Sequence, residues 1–267
     1  MDFITYRGQK LPFDNNELIL DNKNISDILT IKGLDRLKNL YSLDLSSNKI
    51  VEIKGLENNI NLEYLILKDN KLREIKGLER LKKLRYLELD ENYIHKIENL
   101  DNLKNLEILH LKNNEIKVIE GLETLDNLIK LYLGHNKITK ITGLNSLKNL
   151  KILHLNNNEI KEIDNIDEDL RRLEGFNLSD NQISEIKGFD ELLRIMLLNL
   201  HGNNISEIKN LDELISLNVL DLSRNHIGGT RGLESLENLI NLDLAINLRA
   251  PTILEGVYII TKNTGVL

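Results

Sequence analysis

The sequence predicts a solenoid, a stack of short repeats that each contribute one strand. Three observations predict it. An asparagine recurs at Asn48, Asn70, Asn92, Asn114, Asn136, Asn158, Asn181, Asn203, Asn225 and Asn247, in steps of 22 residues with one step of 23. Two apolar residues, one apart, stand ahead of each asparagine, from Leu43 and Leu45 to Leu242 and Leu244. The two prolines, Pro12 and Pro251, lie near the chain ends, so no Pro-rich linker divides the middle.

Each element of the repeat has a physical reason. Alternation at Leu43 and Leu45 has period two, as in a strand with one buried face. One repeat cannot bury its own leucines, but neighbours stacked at the strand spacing of about 4.8 Å form a continuous core. The asparagine stands where the chain leaves the strand. Its amide can satisfy backbone donors and acceptors there, which predicts a buried ladder along the stack. A step residue follows: Gly33, Gly55, Gly77, Gly121, Gly143, Gly188 and Gly232, with Asn99, Asn165 and Asn210 elsewhere. Gly and Asn tolerate positive φ best, which predicts a left-handed backbone at these positions.

Segments such as LKNLYSLDLSSNKI and LKNLEILHLKNNEI carry the Leu-x-x-Leu-x-Leu-x-x-Asn pattern, followed by Ile-x-x-Ile-x-Gly-Leu-x-x-Leu. Over residues 26–247 the chain resembles leucine-rich-repeat proteins of the 22-residue class, which include the regulatory subunit of protein phosphatase 1 and the internalins. The resemblance implies an α/β solenoid: a curved right-handed stack with a concave parallel β-sheet and convex 3₁₀ or short α turns. The expected organisation is an N-terminal cap over 1–25, about ten repeats over 26–247 and a C-terminal cap over 248–267, in one continuous structural domain.

Composition narrows the function. There are 42 acidic against 35 basic residues, a net charge of −7. Such a chain gains no counterion-release energy from a phosphate backbone, so nucleic acid is not the expected partner. With no cysteine, disulfide and thiolate chemistry are closed to it. MDFITYRGQKLPFDNN lacks a basic start followed by an apolar run, and no stretch approaches the roughly 18 apolar residues of a membrane span. The expectation is a soluble cytoplasmic protein without membrane association.

Several departures from the repeat carry expectations. The extra residue of the long step falls in IDEDLRRL and should lengthen a convex helical turn. Asn59 takes a convex leucine position, with Ile60 expected to compensate. Thr230, beside Gly228 and Gly229, replaces an isoleucine, so the stack should be loosest there. The alternation on both sides of Pro12 suggests a strand or hairpin covering the first repeat, with Leu18 and Leu20 in an atypical first strand. Val257, Tyr258, Ile259 and Ile260 suggest a capping strand at the other end.

Function would sit on the outward residues of the strands, the usual binding surface in this architecture. One outward column holds Tyr64, Tyr86 and Ile108; the next holds Ile66, Glu88, His110, Tyr132, His154, Asp221 and Asp243. Aromatics make up only 4% of the chain, so three tyrosines in neighbouring columns mark a candidate interface. In the phosphatase-regulatory family, acidic and aromatic concave residues contact the partner, and Tyr64, Tyr86, Glu88, Tyr132, Asp221 and Asp243 occupy comparable columns here. Lys68, Asp90 and Lys112 read as an exposed cross-strand ion ladder, worth little. Glu88 and His110 are placed to form a hydrogen-bonded pair. Asp221 and Asp243 form a like-charge pair that would receive a basic side chain or a cation, although two carboxylates fall short of a usual metal site.

His110 and His154 lie about 9.6 Å apart by strand spacing, too far to share a zinc ion. No phosphate-cradling glycine loop and no nucleophile elbow appears. No catalytic residue, metal or cofactor is expected. The sequence therefore reads as a protein-protein interaction module holding a protein partner on its concave face, in one version an enzyme-regulatory subunit. The alternatives are a self-associating structural protein and a surface adhesin of internalin type. A monomer is expected, with an end-to-end dimer as the rival state.

Overall fold

The structure is a computed structural model that describes residues 4–11, 16–164, 166 and 168–248, together with the backbone of 258–260. The chain forms two compact units, Met1–Tyr132 and Leu133–Leu267.

The first unit opens with an antiparallel hairpin, β1 (Ile4–Tyr6) and β2 (Gln9–Leu11). Arg7 and Gly8 form its turn, both with positive φ (51° and 77°), the geometry that suits the twist of a two-residue hairpin. Both strands thus precede Pro12. The hairpin buries Ile4 and docks on Lys32 through Thr5, whose N–H donates to the Lys32 carbonyl (3.0 Å) and whose carbonyl accepts from the Lys32 N–H (2.9 Å). A parallel run follows: β3 (Glu17–Ile19), β4 (Ser42–Asp44), β5 (Tyr64–Ile66), β6 (Tyr86–Glu88), β7 (Ile108–His110) and β8 (Lys130–Tyr132). Leu18 pairs with Leu43 in register, so the atypical first strand is in place.

The second unit continues the pattern with β9 (Ile152–His154), β10 (Gly175–Asn177), β11 (Leu197–Asn199), β12 (Val219–Asp221) and β13 (Asn241–Asp243), again parallel. The last strand, β14 (Tyr258–Ile260), pairs with β13 where a capping strand was expected; Val257 lies outside the described residues. Each unit is a parallel-sheet solenoid. The inward strand residues Leu43, Leu65, Leu87, Leu109, Leu131, Leu153, Leu220 and Leu242 are 0% exposed. Truncating one to alanine should cost roughly 2–5 kcal/mol.

The connections are tighter than an α turn. Among the described residues three 3₁₀ turns occur, Ile28–Thr30, Leu34–Arg36 and Glu168–Leu170, the last in the 23-residue step. Elsewhere the Leu-x-x-Leu spacing closes i→i+3 bonds, as from Leu103 N–H to Leu100 O (2.9 Å) and from Leu106 N–H to Leu103 O (2.9 Å). No α-helix forms among the described residues.

The asparagine ladder is buried from Asn48 to Asn225 and half-buried at Asn247. Asn92 donates to the carbonyls of Leu67 (3.0 Å), Leu89 (3.1 Å) and Asp90 (3.1 Å), and its Oδ1 accepts from Leu72 N–H (3.0 Å). It therefore clamps its own turn and ties it to the repeat before. The seven step glycines, Asn99 and Asn210 all have positive φ, between 57° and 99°. Asn165 lies outside the described residues. A second left-handed series stands just before the ladder asparagine, at Ser47, Asp69, Glu91, Asn113, His135, Asn157, Asp180, Gly202, Arg224 and Ile246. Residue types there are too varied for the sequence to show it. The clamp on the next residue and bonds such as Glu91 N–H to Lys112 O (2.9 Å) hold that conformation.

Two departures resolve differently from each other. Asn59 itself fills the buried leucine position at 0% exposure, donating to Leu34 O (2.9 Å) and Leu37 O (3.0 Å), while its Oδ1 has no partner. Ile60 is 47% exposed and does not compensate, because its side chain points away from the core. On either side of Thr230 in the chain, Gly228, Gly229 and Arg231 line a groove of about 510 Å³ together with Ser206, Glu207, Ile208 and Lys209. Leu233, Leu236 and Leu239, which follow Thr230 in the same repeat, are each 5% exposed, against 0% for most of the core. This matches the looser packing expected there.

Candidate protein-binding face

In the first unit the sheet register aligns Ser42, Tyr64, Tyr86, Ile108 and Lys130 in one outward column. Asp44, Ile66, Glu88, His110 and Tyr132 form the next. All are half-buried, because each flanks an inward leucine and is shaded by its neighbours. The strands thus bring seven sequence-predicted residues together: Tyr64, Ile66, Tyr86, Glu88, Ile108, His110 and Tyr132.

The aromatic rings form a continuous run across both columns. Ring centroids are 5.1 Å apart for Tyr41–Tyr64, 5.9 Å for Tyr64–Tyr86, 5.4 Å for Tyr86–His110 and 4.2 Å for His110–Tyr132. The second and fourth pairs are stacked and the others tilted. Tyr41 escaped the sequence reading because it precedes β4 and lies outside the strand columns. Contacts of this kind contribute about 0.5–1.5 kcal/mol each beyond area burial, so the rings are held in place before any partner arrives.

Polar groups fix the run further. The Tyr86 hydroxyl donates to Glu88 Oε2 at 2.6 Å, a charge-assisted bond. Burial first, then that bond and the Glu88 and Asp90 charges, raise the Tyr86 phenol pKa well above its ordinary value. Tyr86 thus stays a neutral hydroxyl at physiological pH. Burial raises the Tyr132 phenol as well.

Two expected pairings are replaced. Glu88 is taken by Tyr86, and the carboxylate facing His110 is Asp90, with Nδ1 3.7 Å from Oδ2. The Lys68–Asp90–Lys112 ion ladder does not form. Asp90 is short and 8% exposed, and its Oδ1 accepts the Lys112 backbone N–H at 2.6 Å. Lys68 pairs instead with the longer Glu91 at 3.3 Å, which raises the lysine pKa.

In the second unit His154, Asn177, Asn199, Asp221 and Asp243 align in one outward column. Around Asp221 the structure gathers His201 and Ser223, with Asp180 on the far side of the imidazole, none of which the strand columns single out. Ser223 donates its hydroxyl to Asp221 Oδ1 (2.5 Å), and His201 Nδ1 lies 2.6 Å from the same Oγ. His201 Nε2 is 3.9 Å from Asp180 Oδ1. This does not place a nucleophile. The hydroxyl proton is committed to a carboxylate, Ser223 is 4% exposed, and the imidazole does not lie between hydroxyl and Asp221. Asp243 accepts from Ala245 N–H (2.8 Å); burial first, opposed by that bond and reinforced by the Asp221 charge, raises its pKa. No cluster of three or more metal-ligating side chains occurs among the described residues.

The family model described as Leucine Rich repeats (2 copies) matches residues 104–146, 126–168 and 148–192. Models described as Leucine rich repeat match 38–94 and 216–239. No curated protein matches the chain by sequence. Among solved structures, the functional domain of InlJ from Listeria monocytogenes is 25% identical with a TM-score of 0.77, over 92% of this chain and 53% of that one. The chain therefore spans about half the length of that InlJ domain, which is described as including a cysteine ladder. The internalin InlF from the same organism is 25% identical with a TM-score of 0.62, over 94% of this chain and 87% of that one. FLRT2, solved in an octameric complex with Latrophilin 3 and Unc5D, shares the fold at 20% identity and a TM-score of 0.78, over 93% of this chain and 90% of that one.

Proposed function

The chain belongs to the leucine-rich-repeat proteins, and from that premise we propose that it is a protein-interaction module whose first unit holds a partner protein on the outward strand face. The observation that carries this reading is the pre-stacked aromatic run from Tyr41 to Tyr132. The regular repeat residues are already used as core, ladder or turn. The outward columns are not constrained in this way, since the same columns hold Ser42 and Lys130 without loss of register. Five aromatic rings on an otherwise aromatic-poor chain are then best explained by a partner. Large amphipathic rings, fixed in advance, lose little entropy on docking. Ile66 and Ile108 add apolar area between them, and the half-buried Glu88 carboxylate supplies an acceptor.

Regulation of a partner enzyme is the more specific version. A surface adhesin is a second reading, favoured by the likeness to InlJ and InlF. The test is affinity capture from native lysate, identification of the captured protein, and its purification. The double variant Tyr64→Ala with Tyr86→Ala should lose that protein while keeping the parent far-UV spectrum. Equal capture by parent and variant sinks the proposal. Light scattering of the isolated chain tests the self-associating rival: a dimer lost on removing residues 251–267 would favour it.

A further inference from the structure

The second unit carries an apolar island that its own repeats show to be unnecessary for folding. One residue before each strand, the column begins with Lys151 and Glu174, which form an ion pair at 2.8 Å. It then changes to Met196, Asn218 and Ile240, joined through backbone bonds from Asn218 N–H to Met196 O (2.9 Å) and from Ile240 N–H to Asn218 O (2.8 Å). A second column runs Lys148, Arg171 and then Leu193 and Ile215. Leu193, Met196, Leu197, Ile215 and Ile240 are 40–59% exposed, and Val219 pairs in register with Leu197 beside them. The same scaffold positions accept charges one repeat earlier, so no packing requirement accounts for apolar residues here. A contiguous exposed patch of this kind marks an interface.

One border of the island is acidic. Asp221 and Asp243 sit two residues along the strands from Val219 and Asn241, on the same face and about 6.6 Å away by strand rise. They pair in register with each other, about 4.8 Å apart by strand spacing. Among the described residues no lysine or arginine pairs with either; Asp221 is buried, bonded by the Ser223 hydroxyl and 4.0 Å from His201 Nδ1, whereas Asp243 is only half-buried. Backbone N–H groups of Ser223 and Ala245 hold the two carboxylates in place (2.9 and 2.8 Å).

We propose that this island is a second docking surface, distinct from the aromatic run of the first unit, and that its occupant is a segment of a partner protein with an apolar side and flanking Lys or Arg side chains. The apolar side chains cover Leu193, Met196, Leu197, Ile215 and Ile240. The cations reach the half-buried Asp243, where they relieve its repulsion with the buried Asp221 beside it.

The test uses two fluorescent 12-residue peptides, one alternating Leu and Lys, one alternating Leu and Glu, titrated against the full chain by anisotropy. The Leu/Lys peptide should bind and the Leu/Glu peptide should not. Leu197→Lys with Ile215→Lys, and separately Asp221→Asn with Asp243→Asn, should each weaken binding about tenfold, or about 1.4 kcal/mol. Asp35→Asn with Asp101→Asn, which removes the same charge from the first unit, should change it less than about twofold, within screening of distant charges. Far-UV melts check each variant; Leu197→Ser and Asp243→Asn alone replace any that unfold. Equal binding of the two peptides, or equal weakening by the Asp35/Asp101 control, overturns the proposal. So does concentration-dependent self-association abolished by the Leu197/Ile215 variant, which would make a second copy the occupant.

Discussion

Gly77→Ala should be more damaging than Gly77→Asn, although alanine is the smaller side chain. Gly77 has φ of 80°, and a Cβ there would collide with the backbone carbonyl oxygen of Ile53 in the preceding repeat. The left-handed conformation costs an alanine about 1–2 kcal/mol, and forcing a stacked backbone apart adds roughly 1–3 kcal/mol. Asparagine meets the same obstacle, but the molecule shows how it is offset. At the equivalent step, Asn99 has φ of 60° and donates its amide to the Ile75 carbonyl at 2.6 Å; Asn210 donates to Ile186 O at 2.8 Å. That bond returns about 1 kcal/mol, and asparagine tolerates the left-handed region better. Urea unfolding followed by far-UV circular dichroism should place Gly77→Ala about 2–5 kcal/mol below the parent, and Gly77→Asn at least about 1 kcal/mol above Gly77→Ala. If the two variants coincide, or alanine is the milder, close approach to the carbonyl does not dictate the step residue.

Three other perturbations probe separate features. Asn59→Leu should raise stability by about 1–2 kcal/mol in the same assay: it removes a buried, unpartnered Oδ1 and restores the leucine used by other repeats. The two carbonyls it abandons keep their bonds from Leu37 N–H and Leu40 N–H (3.1 Å each). Ile246→Asn should stabilise by about 1 kcal/mol, since a β-branched residue sits at φ of 56° with a half-exposed side chain; a lower melting temperature would contradict this. Asp243→Asn should raise the melting temperature at pH 7. The folded carboxyl pKa lies above the unfolded 3.8. Its favourable contribution is therefore full below pH 3.8 and is lost as pH rises through the folded value. The advantage of the variant should vanish in melts taken below pH 3.8, and an advantage that grows there would contradict the assignment.

The period of the asparagines and the leucine alternation made the stack, the ladder and the step glycines legible, because in a solenoid each buried contact repeats a local pattern. The outward columns were legible for the same reason: parallel register carries Tyr64 beside Tyr86 and Glu88 beside His110. Side-chain reach within those columns was not. Whether Glu88 bonds Tyr86 or His110, and whether Asp90 takes a lysine or a backbone N–H, depends on rotamers and not on spacing. The left-handed residue before each ladder asparagine left no trace because a side chain on the next residue enforces it. Tyr41 and the island residues Leu193, Met196, Ile215 and Ile240 lie beyond columns counted only within the strands.

Calorimetric titration of the captured partner into the parent chain and into Tyr64→Ala/Tyr86→Ala tests the binding role most directly. Loss of two central aromatic contacts should weaken binding by at least about 100-fold, since hot-spot residues each contribute about 2 kcal/mol or more. The melting temperature should stay near the parent value. A dissociation constant within twofold of the parent would contradict the aromatic run as the partner site.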